Sequence, residues 1–144
     1  MEKELANAFR SQQQKYVYYI IGLSITAIGF IVHKTIGVKL TYSLIPVGIS
    51  TLSWMICIYT GLRFLNNSIS ALYSNHELVV IQKGKNPEIQ ENKDLINTAV
   101  KTIVNTINGL SSKNEKNLKI MQYSFYIGIL SFVAWHIYGM YVLC

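Results

Sequence analysis

Three blocks of this chain, 16–32, 44–62 and 120–143, contain no Asp, Glu, Lys or Arg. A hydrocarbon core about 30 Å thick is crossed by about 20 apolar residues of α-helix, and each block is close to that length. Strands of a membrane barrel alternate apolar and polar residues in segments of about ten, whereas these blocks are apolar on every face. The pattern predicts an all-α integral membrane protein with three transmembrane helices, and a helical hairpin in the polar stretch between spans two and three.

The net charge of +6 is less informative than where the charge lies. Lys3, Arg10 and Lys15 precede the first span, and Lys34 and Lys39 lie between spans one and two. Arg63, Lys83, Lys85, Lys93, Lys101, Lys113, Lys116 and Lys119 lie between spans two and three, and none follow. With three spans the first and third of these regions share a side, which sets eleven basic residues against two. The positive-inside rule then places a multi-pass protein in a cell inner (cytoplasmic) membrane, with its N-terminus cytoplasmic and its C-terminus outside. The chain divides into a cytosolic N-terminal helix (1–15), a transmembrane hairpin (16–65), a cytosolic helical hairpin (66–119) and a third transmembrane helix (120–144). The long N-terminal segment, which carries Glu2 and Glu4, and the lack of a small-residue site at Val32 to Lys34 speak against a cleaved signal peptide.

Within span two, Ser43, Pro46, Ser50, Ser53, Cys57 and Thr60 recur at three and four residues, with Gly61 beside them. This is one narrow, small and weakly polar seam, continued in register by Asn67, Ala71 and Ser74. Two readings fit it: a tight packing face, because small residues let helices approach in lipid, or the lining of a polar path around an oligomer axis. Trp54 is read as lipid-facing or as packing bulk. In span one Gly22, Thr26 and Gly29 share a face and predict close packing, as do Ser124, Gly128, Ser131 and Gly139 in span three.

Beyond Arg63, Leu65, Ile69, Leu72, His76 and Val79 recur at four and three, a heptad stripe that predicts a helix running out of the membrane toward a helical partner. Gly84, Asn86 and Pro87 predict a turn over 84–90. After it Ile96, Val100, Ile103, Ile107 and Leu110 form a matching stripe, and Gly109, Ser111 and Ser112 are expected to end that helix before span three. Two short helices make a marginal core, so these stripes are read as an oligomer or partner interface.

Catalytic chemistry has no candidate in this sequence. No carboxylate lies in a span, His33, His76 and His136 fall in three separate regions, and neither His-Glu-x-x-His nor Cys-x-x-Cys occurs. Cys57 and Cys144 belong at depths too different for a disulfide within one chain. Basic and aromatic residues do not interleave on the polar helices, so specific nucleic-acid binding is not expected. No cofactor, no metal and no enzymatic activity is expected; the expected partners are membrane lipid, further copies of the chain, or a protein on the cytosolic hairpin. The layout is similar to that of bacterial membrane effectors that assemble in and permeabilise the inner membrane. The sequence therefore suggests a homo-oligomeric channel or pore, gated or assembled through its cytosolic helices. The alternative is a non-conducting adaptor or accessory subunit that docks a partner through the hairpin.

Overall fold

The structure, a computed structural model, describes residues 2–39, 41–82 and 93–143. These residues are helical almost throughout, forming α1 (Glu2–Thr35), a short 3-10 turn (Tyr42–Leu44), α2 (Ile45–Gln82) and α3 (Lys93–Leu143). The turn expected over 84–90 and Cys144 lie outside the described residues. Each helix contains a stretch long and apolar enough to cross a membrane. α3 has 51 residues, more than twice the about 20 that a bilayer core requires.

Why the helices are so long follows from local chemistry. In α1 the polar segment before Tyr16 is free of Gly and Pro and runs without a break into the apolar block. It ends where Gly37 takes φ +81, a backbone conformation that side chains disfavour. Pro46 occupies the first turn of α2, where a missing N–H costs nothing, and Asn66, Asn67 and Ser68 leave that helix unbroken.

The expected helix end at Gly109, Ser111 and Ser112 does not occur: α3 passes through them. Glycine and serine in a helix interior cost at most about 1 kcal/mol each, and Gly109 has no positive φ to end the helix. The register of buried and half-buried residues also continues across this point without a phase break, from Ile107 and Leu110 through Asn114 and Asn117 to Met121.

The chain forms two compact units, 1–62 with 117–144, and 63–116. The first is a three-helix bundle whose core includes Val17, Ile20, Ile21, Ile31, Val47, Trp54, Cys57 and Met121. Its outer surface is richly apolar, with Leu23, Ile25, Leu52, Met55, Ile127 and Leu130 exposed, consistent with helices long and apolar enough to cross a membrane. The second is a two-helix unit in which α2 and α3 return antiparallel. Asn114 Nδ2 donates to Ser68 Oγ across that unit at 3.0 Å, while Asn114 Oδ1 is buried without a partner.

Candidate functional site

The small-residue seam of α2 lies in the interior of the first unit. Ser50 and Cys57 are fully buried, Ser53 and Thr60 nearly so, Gly61 is buried and Ser43 is half-buried. Three contacts show what fills the space they leave. A Cβ built on Gly61 would stand 2.9 Å from Ile21 Cδ1 and 3.2 Å from Met121 Sδ. Ser24 Oγ lies 3.4 Å from Cys57 Sγ and donates to Ile20 O at 2.9 Å. One heptad from Gly61 the sizes reverse: the Trp54 ring packs on Gly128, where a Cβ would fall 2.7 Å from Trp54 Cδ1 and 2.8 Å from Cε2. At Gly61 and at Gly128 a small residue thus faces a large one, which lets the backbones approach there.

The seam's hydroxyls are satisfied by their own helix. Ser50 donates to Pro46 O at 2.8 Å and Thr60 to Ile56 O at 2.9 Å, the i−4 bond that removes the cost of a hydroxyl in apolar surroundings. Of the two readings of the seam, the protomer displays the packing one. A water path along these residues would require α1 and α3 to move away from them.

Trp54 is 3% exposed, so it is packing bulk and does not face lipid. It joins Ile31 and Val47 in a cluster flanked by Phe125, Phe132 and Trp135, with its ring centroid 6.1 Å from that of Phe132. Its indole Nε1 is buried without a hydrogen-bond partner.

On α1 the expected packing face is not the one used. Gly22, Thr26 and Gly29 are exposed, and a Cβ on either glycine would meet nothing within 4 Å. The face that packs carries Val17, Ile21, Ser24, Ile28 and Ile31, a four-three repeat of branched residues around one serine. The repeat is visible in the sequence, and in this helix branched residues rather than small ones mark the contact. In α3 Ser124 and Gly128 are buried and Ser131 and Gly139 half-buried, as expected.

The two stripes of the second unit part company. Ile96, Val100, Ile103, Ile107 and Leu110 of α3 are all half-buried, so this stripe faces α2. On α2 Leu65 is buried, but Ile69 (63% exposed), Leu72 (68%) and Val79 (43%) are not, and His76 is exposed too. The face turned inward lies one residue round the helix: Phe64 buried, then Ser68, Ala71, Asn75 and Leu78 half-buried. Ile69, Leu72, His76 and Val79, expected as part of an oligomer or partner interface, are thus left uncovered by α3. One contact on the inward face is a side-chain hydrogen bond, in which Ser68 Oγ accepts from Asn114 Nδ2 of α3 at 3.0 Å.

Among the described residues no three His, Cys, Asp or Glu side chains gather where a metal ion could be held. No family model, no curated protein and no solved structure matches this chain. The burial of Cys57 gives a direct check on the bundle. With Cys144 replaced by Ser, a maleimide should label the folded protein in mild detergent at least about tenfold more slowly than the unfolded chain, because a thiolate reacts only where reagent can reach it. Equal rates would show that α1 does not cover Cys57.

Proposed function

We propose that this chain is a non-enzymatic, homo-oligomeric inner-membrane protein whose copies associate through the uncovered face of α2 in the second unit. The observation that carries the reading is the exposure of Ile69, Leu72, Tyr73 and Val79 on one helical face, in a unit whose α3 surface is mostly polar, with Leu95 and Val104 its exposed apolar side chains. Thr98, Lys101, Thr102, Asn105 and Lys113 are exposed on α3. That surface belongs in water, and the charge distribution assigns this segment to the cytoplasm. In water an apolar stripe is stabilised by burial at about 25 cal/mol per Å². A second copy offers the same stripe in the self-complementary arrangement that a two-fold interface needs.

The filled seam bears on what such an assembly does. A channel or pore built from these protomers would run along surfaces that the protomer leaves exposed, between copies, and not along Ser50, Ser53 and Cys57. The same closed interior favours the second reading, a non-conducting adaptor that presents the α2 face to a different protein. Cross-linking with mass measurement of the detergent-solubilised particle separates the two. The double substitution Ile69→Glu and Leu72→Glu should reduce a discrete oligomer to single protomers at unchanged helix content. A wild-type protein that is already monomeric, or that is recovered with one copy of another polypeptide, overturns the self-association reading. Flux across liposomes carrying the intact oligomer then distinguishes a pore from a scaffold.

A further inference from the structure

We infer that a groove in the membrane-spanning unit is a binding site for one anionic phospholipid, with an acyl chain in the groove and the phosphate held by Lys34. A cavity of about 380 Å³ opens on the side of the bundle, walled by Leu23, Thr26, Ala27 and Phe30 of α1, Trp54 of α2 and Phe132 of α3. Its wall is almost wholly apolar, and the Thr26 hydroxyl is engaged by Gly22 O at 2.9 Å. The four α1 residues follow one helix face for about 10 Å, and the next residue of that face in the same register is Lys34. Its Nζ sits over the Phe30 ring, 5.8 Å from the centroid, so a cation stands at the rim of an apolar slot. Lys34 belongs to the last turn of α1, where the apolar block ends and the level of lipid phosphates begins. The connection that follows adds Lys39 and has no acidic residue.

This order, a cation at the interface and then an apolar channel running into the hydrocarbon, is complementary to a phospholipid. In a bilayer the groove gains nothing merely by being apolar, since bulk lipid is apolar too. Retention of one lipid comes from contacts that an empty groove would forfeit and from the charge at its rim. The site is separate from the α2 face proposed for association, and its test does not depend on oligomeric state.

Trp54 and Trp135 are the two tryptophans of the chain, so Trp135→Phe leaves a single reporter in the groove wall. This protein is reconstituted in phosphatidylcholine bilayers holding a minor fraction of phosphatidylglycerol, with bromine on the acyl chains of one lipid or the other. Bromine quenches only on contact. Brominated phosphatidylglycerol should quench Trp54 at an apparent affinity about five-fold above that of brominated phosphatidylcholine. Lys34→Gln should remove the preference, and Thr26→Phe, a change at an exposed position that fills the groove, should remove the quenching at unchanged helicity. Equal quenching by both lipids that neither substitution alters would overturn the proposal, as would a Trp54 that neither lipid quenches.

Discussion

Gly128→Leu should abolish the folded three-helix bundle, and even Gly128→Ala should lower its unfolding midpoint sharply. The indole of Trp54 occupies the space that any β-carbon at 128 would need, with Cδ1 at 2.7 Å and Cε2 at 2.8 Å from that position. The obstruction is a rigid ring wedged among Ile31, Val47 and Phe132, so it has no flexible end to swing away. Overpacking of this kind costs about 1–3 kcal/mol where neighbours can shift, and here the helix backbones must separate. Trp54→Leu should relieve the clash. In that background Gly128→Ala should lose more than about 1 kcal/mol of its penalty, a coupling expected only of residues in direct contact. The rate at which a fluorogenic maleimide reaches Cys57 on heating, with Cys144 replaced by Ser, reads each variant. Additive effects of the two substitutions would mean that α2 and α3 do not meet at this level.

Ser50→Leu should likewise destabilise the bundle, by about 1–3 kcal/mol, whereas Ile49→Leu at the adjoining position should change the midpoint little. Ser50 is fully buried and Ile49 is 46% exposed, so neighbours one residue apart face the interior and the outer surface of the bundle. The contrast also tests the seam. Were Ser50 part of an aqueous path around an oligomer axis, leucine there would block conduction while leaving midpoint and assembly intact. A stable, fully assembled, non-conducting Ser50→Leu protein would therefore reverse the packing assignment.

Much of this architecture is legible in the sequence because its causes are local. Charge-free blocks locate the membrane candidates, since an ionised side chain within the hydrocarbon is expensive wherever the rest of the chain lies. The continuity of α2 past Asn66–Ser68 follows from an unbroken four-three register. That of α3 through Gly109 and Ser112 follows from the same logic, and there it was overruled by single residues that carry weak helix-stopping signals. The seam from Ser50 to Gly61 is a pattern that the sequence shows as a face, with two possible occupants.

Choice between neighbouring faces was not legible. Both Gly22–Thr26–Gly29 and Val17–Ile21–Ser24–Ile28 mark a face of α1, and both Ile69–Leu72–His76 and Ser68–Ala71–Asn75 mark a face of α2. Periodicity says that a face exists and is silent on what covers it. The sequence by itself determined the helices, their apolar stretches and their repeat, because desolvation and backbone propensity act residue by residue. Only the tertiary structure decided that Gly61 receives Ile21 and that Gly128 receives Trp54, because those are fits of shape between segments distant in the chain. Only the tertiary structure, likewise, left Ile69 and Leu72 exposed in the second unit, on the face through which we propose that copies associate.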